Sequence, residues 1–218
     1  MPQKNSIKAY LEGGYYHIYN RGVENREIFL DDRDYKVFLY YLKQYLAPIE
    51  ETIFIGKIQH TNLSSEIDLL SFCLMPNHFH LQIKQKNKDG ITKLMRRLLT
   101  NYAMYFNKRY QRNGTLFQGI YKAVLINNDS QLLHLSRYIH LNPYELEKRS
   151  FKKLVDYPYS SYGDYLGVRK SSWVKPQEIL SFFKNARRSD LKDILSYQSF
   201  VEDYKVEPGL DFENILLE

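Results

Sequence analysis

Cysteine is nearly absent from this chain. A single cysteine, Cys73, among 218 residues excludes an intramolecular disulfide framework and any zinc site built from clustered thiolates. A metal would have to be held by histidine, oxygen or amide ligands. Long apolar runs are also missing: nothing approaches the roughly 18 residues that a membrane span needs, and the opening MPQKNSIKAY lacks the apolar stretch of a signal peptide. The expectation is a cytoplasmic protein that does not engage membranes. Acidic residues are scarce in one place, because between residues 84 and 122 Asp89 stands alone against ten lysines and arginines. Residues 151 to 218, with ten basic and eleven acidic side chains, carry no such excess and would not draw a polyanion.

What the chain does have is enough apolar content for a real core, 44% hydrophobic residues, and 20 tyrosines. Aromatic faces beside cations are what single-stranded nucleic acid stacks on, although a basic stripe is equally well explained as a solvated helix face. GGYYHIYNRG (13–22) reads as a strand, and DDRDYKVFLYYLKQYL (31–46) as a helix opened by acids, with apolar residues three and four apart. ETIFIGKIQ and EIDLLSFCLM read as a hairpin around HTNLSS, and HFHLQIK as the next strand, entered through MPN. A long amphipathic helix follows from about Ile91 to Tyr110, then the strand GIYKAVLI, then a helix SQLLHLSRYIHLN capped by Asn128 or Asp129 and stopped near Pro143. This order predicts an α+β fold, an antiparallel sheet with helices on one face. Beyond residue 151, DYPYSSYGDYLG reads as an ordered loop, and KPQEILSFF and SDLKDILSYQSFV as short helices.

Six histidines are present, and two of them, His78 and His80, are one residue apart in MPNHFHLQI. Strand side chains alternate faces, so His78, His80 and Gln82 point one way while Phe79, Leu81 and Ile83 point the other. The imidazoles then stand about 6–7 Å apart along the strand, close enough to converge on one ion. Two surface or hydrogen-bonding histidines would give the same pattern. A third ligand is offered by the capped helix, where Tyr138 and Asn142 are four apart and share a face. An amide carbonyl beside two imidazoles completes three ligands, and a tyrosine is a possible nucleophile whose attack on phosphorus needs a nearby cation. The spacing alone does not choose, since Tyr40 with Gln44 and Tyr16 with Asn20 repeat it. On the same helix, His134, one turn before Tyr138, reads as a surface histidine or as a proton acceptor.

MPNHFHLQI followed by RYIHLNP resembles the single-tyrosine HUH transposases, most closely the REP-associated tyrosine transposases. YHIYNRG, YFNKRYQRNGTLFQGIYKA and DYPYSSYGDYLG occur in the family's order, so the resemblance covers about residues 13–168. It implies a ferredoxin-like or RRM-like sheet. Residues 1–150 are the expected catalytic domain, and 151–218, with its balanced charge, is expected as a mainly helical extension packed on it. It implies Mg²⁺ or Mn²⁺ on His78 and His80, Tyr138 as nucleophile and Asn142 as the amide that completes the metal site, which removes Tyr40 from contention. Asn77 receives no role from it.

Such enzymes cut single-stranded DNA near short hairpins, hold the 5′ end as a phosphotyrosine and free a 3′-hydroxyl. Their members occur as monomers and as dimers that swap the tyrosine helix, so a homodimer is one expected assembly; single-stranded or hairpin DNA is the expected partner, with the protein cytoplasmic and nucleoid-associated. Arg96, Arg97, Lys108, Arg109, Arg112 and Lys122 are the candidate phosphate contacts, and Arg21, with Lys4 and Lys8, a candidate reader of a short guide sequence. Two rivals remain: a non-catalytic RRM-like binder whose rings only stack on bases, and a small-phosphoester hydrolase, which leaves the basic segment unused.

Overall fold

Alternating strand residues build a sheet whose two faces carry different chemistry. The structure, a computed structural model, describes residues 10–51, 62–144, 146, 153–184 and 196–203. The strand expected in ETIFIGKIQ beyond Glu51, the first two residues of its hairpin loop, Lys4, Lys8, the first part of SDLKDILSYQSFV and the acidic end lie outside these residues. Strands β1 (Tyr15–Arg21), β2 (Ile67–Met75), β3 (His78–Gln85) and β4 (Lys122–Ile126) form one sheet in the order β2-β3-β1-β4, antiparallel at every junction. Helices α1 (Asp32–Leu46), α2 (Gly90–Arg109) and α3 (Asp129–Leu141) alternate with them as the sequence order predicts. No helix among the described residues is long and apolar enough to cross a membrane.

Helices α1 and α2 cover the first face. Ile18 from β1, Leu74 from β2 and Phe79, Leu81 and Ile83 from β3 are fully buried against Phe38 and Leu42 of α1 and Leu94, Leu98 and Tyr102 of α2. Burying a side chain of this size stabilises by ~1.5–3 kcal/mol, and the period-two alternation of β3 puts all of its apolar members on this side. Asp31 caps α1 by accepting from the Arg33 and Asp34 amides. Asp34 itself is fully buried and accepts from the Leu30 amide, the Tyr105 and Tyr110 hydroxyls and the Arg109 guanidinium. A carboxylate can be buried only because four donors compensate it.

The reverse face is also covered at the β2 side. IDLLSFCLM is a nearly continuous apolar run, as expected of a strand enclosed on both faces, and all of β2 except Asp68 is buried. Leu70, Cys73 and Met75 pack there with Leu132, Leu135 and Ile139 of α3 and with the C-terminal extension. That extension contributes α4 (Gln177–Lys184), α5 (Tyr197–Glu202) and the DYPYSSYGDYLG segment. The segment does more than fill space: Leu74 donates to the Tyr159 carbonyl at 2.9 Å and Ser161 to the Phe72 carbonyl at 2.9 Å, so it occupies the open edge of β2. At the other end, Gly22 closes β1. Its amide donates to the Asn77 carbonyl at 2.8 Å, and a Cβ would lie 2.1 Å from the Arg26 carbonyl, so only glycine fits. This bond ties β1 to the turn that launches β3.

Candidate active site

The alternation of β3 delivers His78, His80 and Gln82 to the reverse face. In the register of the sheet, His80 lies opposite Cys73 of β2 and Tyr19 of β1, and Tyr19 lies opposite Lys122 of β4. His78 lies opposite Met75 and Arg21. The two imidazoles are 4.9 Å apart between centroids and nearly perpendicular, at 82°. Each has its Nδ1 held by a neighbour. His78 Nδ1 meets Asn77 Oδ1 at 2.7 Å, and His80 Nδ1 meets His17 Nε2 at 2.9 Å. Nε2 is the nitrogen that either ring could offer a metal, provided that its Nδ1 carries the proton.

Helix α3 brings its own contribution from above. Asn128, not Asp129, caps it, accepting from the Gln131 amide at 2.8 Å. The buried Gln82 accepts from the Ser71 hydroxyl at 2.7 Å and donates to the Leu132 carbonyl at 2.8 Å, which fixes the helix to the histidine strand. One turn before the end, the Tyr138 ring stands edge-on to His80, with centroids 5.3 Å apart at 78°. Asn142 follows one turn later. Its amide nitrogen donates to the Tyr138 carbonyl at 3.0 Å, which turns its Oδ1 toward His78 Nε2, 3.3 Å away.

That last distance carries the electrostatics of the site. With Asn77 Oδ1 accepting from His78 Nδ1–H, a neutral His78 presents a lone pair to the Asn142 oxygen. In that tautomer, two acceptors facing each other at 3.3 Å leave room for a cation between them. Ligands at ~2.0–2.1 Å from one ion sit about 3 Å from each other, so the spacing fits two atoms of a shared coordination sphere. Among the described residues no group of three His, Cys, Asp or Glu could hold a metal, so a third protein ligand drawn from them would be of another type. Asn142 is that type, and the donor set fits a divalent ion.

Residues 15–142 match the family model described as IS200-like transposase. The chain belongs to that family. A solved structure of a REP-associated tyrosine transposase bound to a REP hairpin matches the fold with a TM-score of 0.53 at 15% identity, over 79% of this chain and 92% of that one. A second solved structure, a putative transposase from Deinococcus radiodurans R1, matches with a TM-score of 0.38 at 13% identity, over 62% of this chain and 94% of that one. No curated protein matches the sequence.

In this transposase the tyrosine helix is gripped from behind by the extension. His140, fully buried, meets the Tyr197 hydroxyl of α5 with Nδ1 at 2.7 Å and the Ser161 hydroxyl with Nε2 at 2.8 Å. Arg137 lies over the Phe200 ring at 4.5 Å and bonds His134, which also packs on Phe200. His134 is therefore part of the α3–α5 contact, half-buried and turned to its own helix's arginine. Burial holds His140 neutral, with its pKa down to about 3, and burial plus Arg137 brings His134 down to about 4.

Unfolded histidines titrate near ~6.5, so below that pH the unfolded chain takes up protons that the native chain refuses. Stability is complete above ~6.5 and falls as the pH drops from there, by up to ~1.4 kcal/mol per pH unit for His140. Urea unfolding at pH 7, 6 and 5 is expected to show this decline, and His140→Gln to flatten it. Equal stabilities across the range would sink the idea.

The candidate cations divide between the two sides of the sheet. Arg21 and Lys122 share the histidine face by register, Arg21 with its Nε on Gln118 at 2.5 Å. Arg96, Arg97, Lys108 and Arg109 sit on α2, and Arg112 just beyond it, in the layer behind the sheet. Arg109 is drawn into ion pairs with Asp31 and Asp34, where its charge is balanced. Arg112 lies over the Phe106 ring at 5.7 Å. Sequence reasoning missed Asn77 and His17, the two residues that hold His78 and His80 at Nδ1. Asn77 adjoins the pair, but His17 is joined to it only through strand pairing.

Proposed function

We propose that this transposase cuts and rejoins single-stranded DNA beside hairpins, with Tyr138 as nucleophile. The observation that carries the reading is the meeting of Tyr138, His80, His78 and Asn142 at one spot, the tyrosine ring 5.3 Å from His80 and the amide oxygen 3.3 Å from His78. In the proposed step the phenolic oxygen attacks phosphorus, forming an O–P bond while the bond from phosphorus to the 3′ oxygen breaks. The DNA 5′ end is left on the tyrosine, and the phenolic proton, passed through solvent, ends on the freed 3′-hydroxyl. Attack by another strand's 3′-hydroxyl on the same linkage rejoins DNA and returns the phenol. A divalent ion, Mg²⁺ or Mn²⁺, held by His78, His80 and Asn142 would supply Lewis-acid stabilisation of the charge that builds on the phosphate.

Hairpin DNA is the proposed substrate class, in keeping with the solved relative that carries a REP hairpin, and the proposed workplace is the nucleoid. Arg21 and Lys122 are proposed to flank the reacting strand, and Arg96, Arg97, Lys108 and Arg112 to hold phosphates elsewhere on the substrate. Arg109 contributes least, because Asp31 and Asp34 already neutralise it. A dimer that swaps the tyrosine helix is not needed, since one chain brings the phenol to its own histidines.

The test is a denaturing gel. Labelled hairpins with single-stranded flanks, incubated with the protein and Mn²⁺, are expected to give a covalent protein–DNA band that vanishes with EDTA. Binding without a covalent band on several such hairpins would overturn the reading in favour of an RRM-like binder.

A further inference from the structure

The buried histidine at the centre of β1 belongs to no step described so far. His17 and His80 are both 1% exposed, and their rings lie nearly parallel, 5.1 Å apart at 24°. His17 sits diagonally across from His80 in the β1–β3 ladder, where Gln82 is its direct partner. Its other side stacks on Tyr19 at 4.7 Å, and the Tyr138 ring meets it edge-on at 6.3 Å. Because β1 lies between β3 and β4, the His17 ring is held by a strand paired on both sides.

Two neutral imidazoles joined nitrogen to nitrogen share one hydrogen, and its position decides the chemistry of the pair. If His17 Nε2 carries it, His80 accepts at Nδ1, keeps its own proton on Nε2 and has no lone pair left there for a metal. If His80 Nδ1 carries it, His17 accepts, and His80 Nε2 presents a lone pair. We propose that His17 is a positioning residue that accepts the Nδ1–H of His80 and so holds His80 in its metal-binding tautomer. The proposal rests on the metal reading of His78, His80 and Asn142, and it does for His80 what the Asn77 oxygen does for His78.

Three measurements test it. Long-range ¹⁵N NMR of the metal-free wild-type protein is expected to find His80 protonated at Nδ1; protonation at Nε2 would overturn the proposal with no mutation made. Calorimetry with Mn²⁺ is expected to show His17→Phe weakened by about 10–100-fold, the usual effect of losing such a partner. His17→Gln, whose amide oxygen reaches about as far as Nε2, is expected to recover most of that loss. Wild-type affinity in His17→Phe, or equal losses in the Phe and Gln variants, would defeat the role assigned to His17 and leave the metal site standing. A wild-type protein that binds no Mn²⁺ would instead defeat the metal reading, and the proposal with it.

Discussion

Tyr138→Phe is expected to abolish the covalent protein–DNA band and to lower cleavage by on the order of 10³-fold or more, because it removes the nucleophilic oxygen and nothing else. The ring that packs against His80 and His17 is retained, so folding, hairpin binding and Mn²⁺ binding should survive. A control is built into the site. Tyr19 also lies beside His80, with ring centroids 5.9 Å apart, and proximity alone would make it a competitor. It differs in having no amide one turn away, since it sits on a central strand stacked on His17. Tyr19→Phe should therefore keep the covalent band. Loss of the band in Tyr19→Phe with its retention in Tyr138→Phe would reassign the nucleophile.

Removing His78 should be as severe for a different reason. His78→Ala takes away one of three proposed ligands and the partner of the Asn142 oxygen, and the loss of several kcal/mol of Lewis-acid stabilisation corresponds to roughly 10³-fold in cleavage rate. Asn142→Ala should be milder. It leaves both imidazoles, so raised Mn²⁺ is expected to restore part of its activity. No concentration of metal should rescue Tyr138→Phe. Cleavage at the wild-type rate by His78→Ala in the presence of EDTA would exclude metal from the reaction.

Much of this site could be read from the sequence because its parts are local. The His78–Phe79–His80 triplet fixes its own facing through strand alternation, and Tyr138 with Asn142 shares a helix face through spacing alone. What alternation cannot give is register. His17 reaches His80 because β1 pairs with β3 in one particular alignment, and nothing in YHIYNRG announces it. The placement of the basic segment was hidden for a similar reason. Lys122 and α2 are close in sequence, yet the sheet stands between them, and Arg109 is neutralised by Asp31 and Asp34, more than 70 positions away. Those acids read in the sequence only as a helix start. The DYPYSSYGDYLG loop was legible as ordered, but its protection of the β2 edge depends on backbone pairing that a loop sequence does not encode.

Tyr138 and Asn142 ride on consecutive turns at the end of α3, joined by the bond from the amide nitrogen to the tyrosine carbonyl. If Tyr138 and Asn142 act as proposed, a displaced helix end would withdraw the attacking oxygen and one metal ligand in a single movement. Under the proposed reading, nucleophile and third ligand would then be present together or absent together.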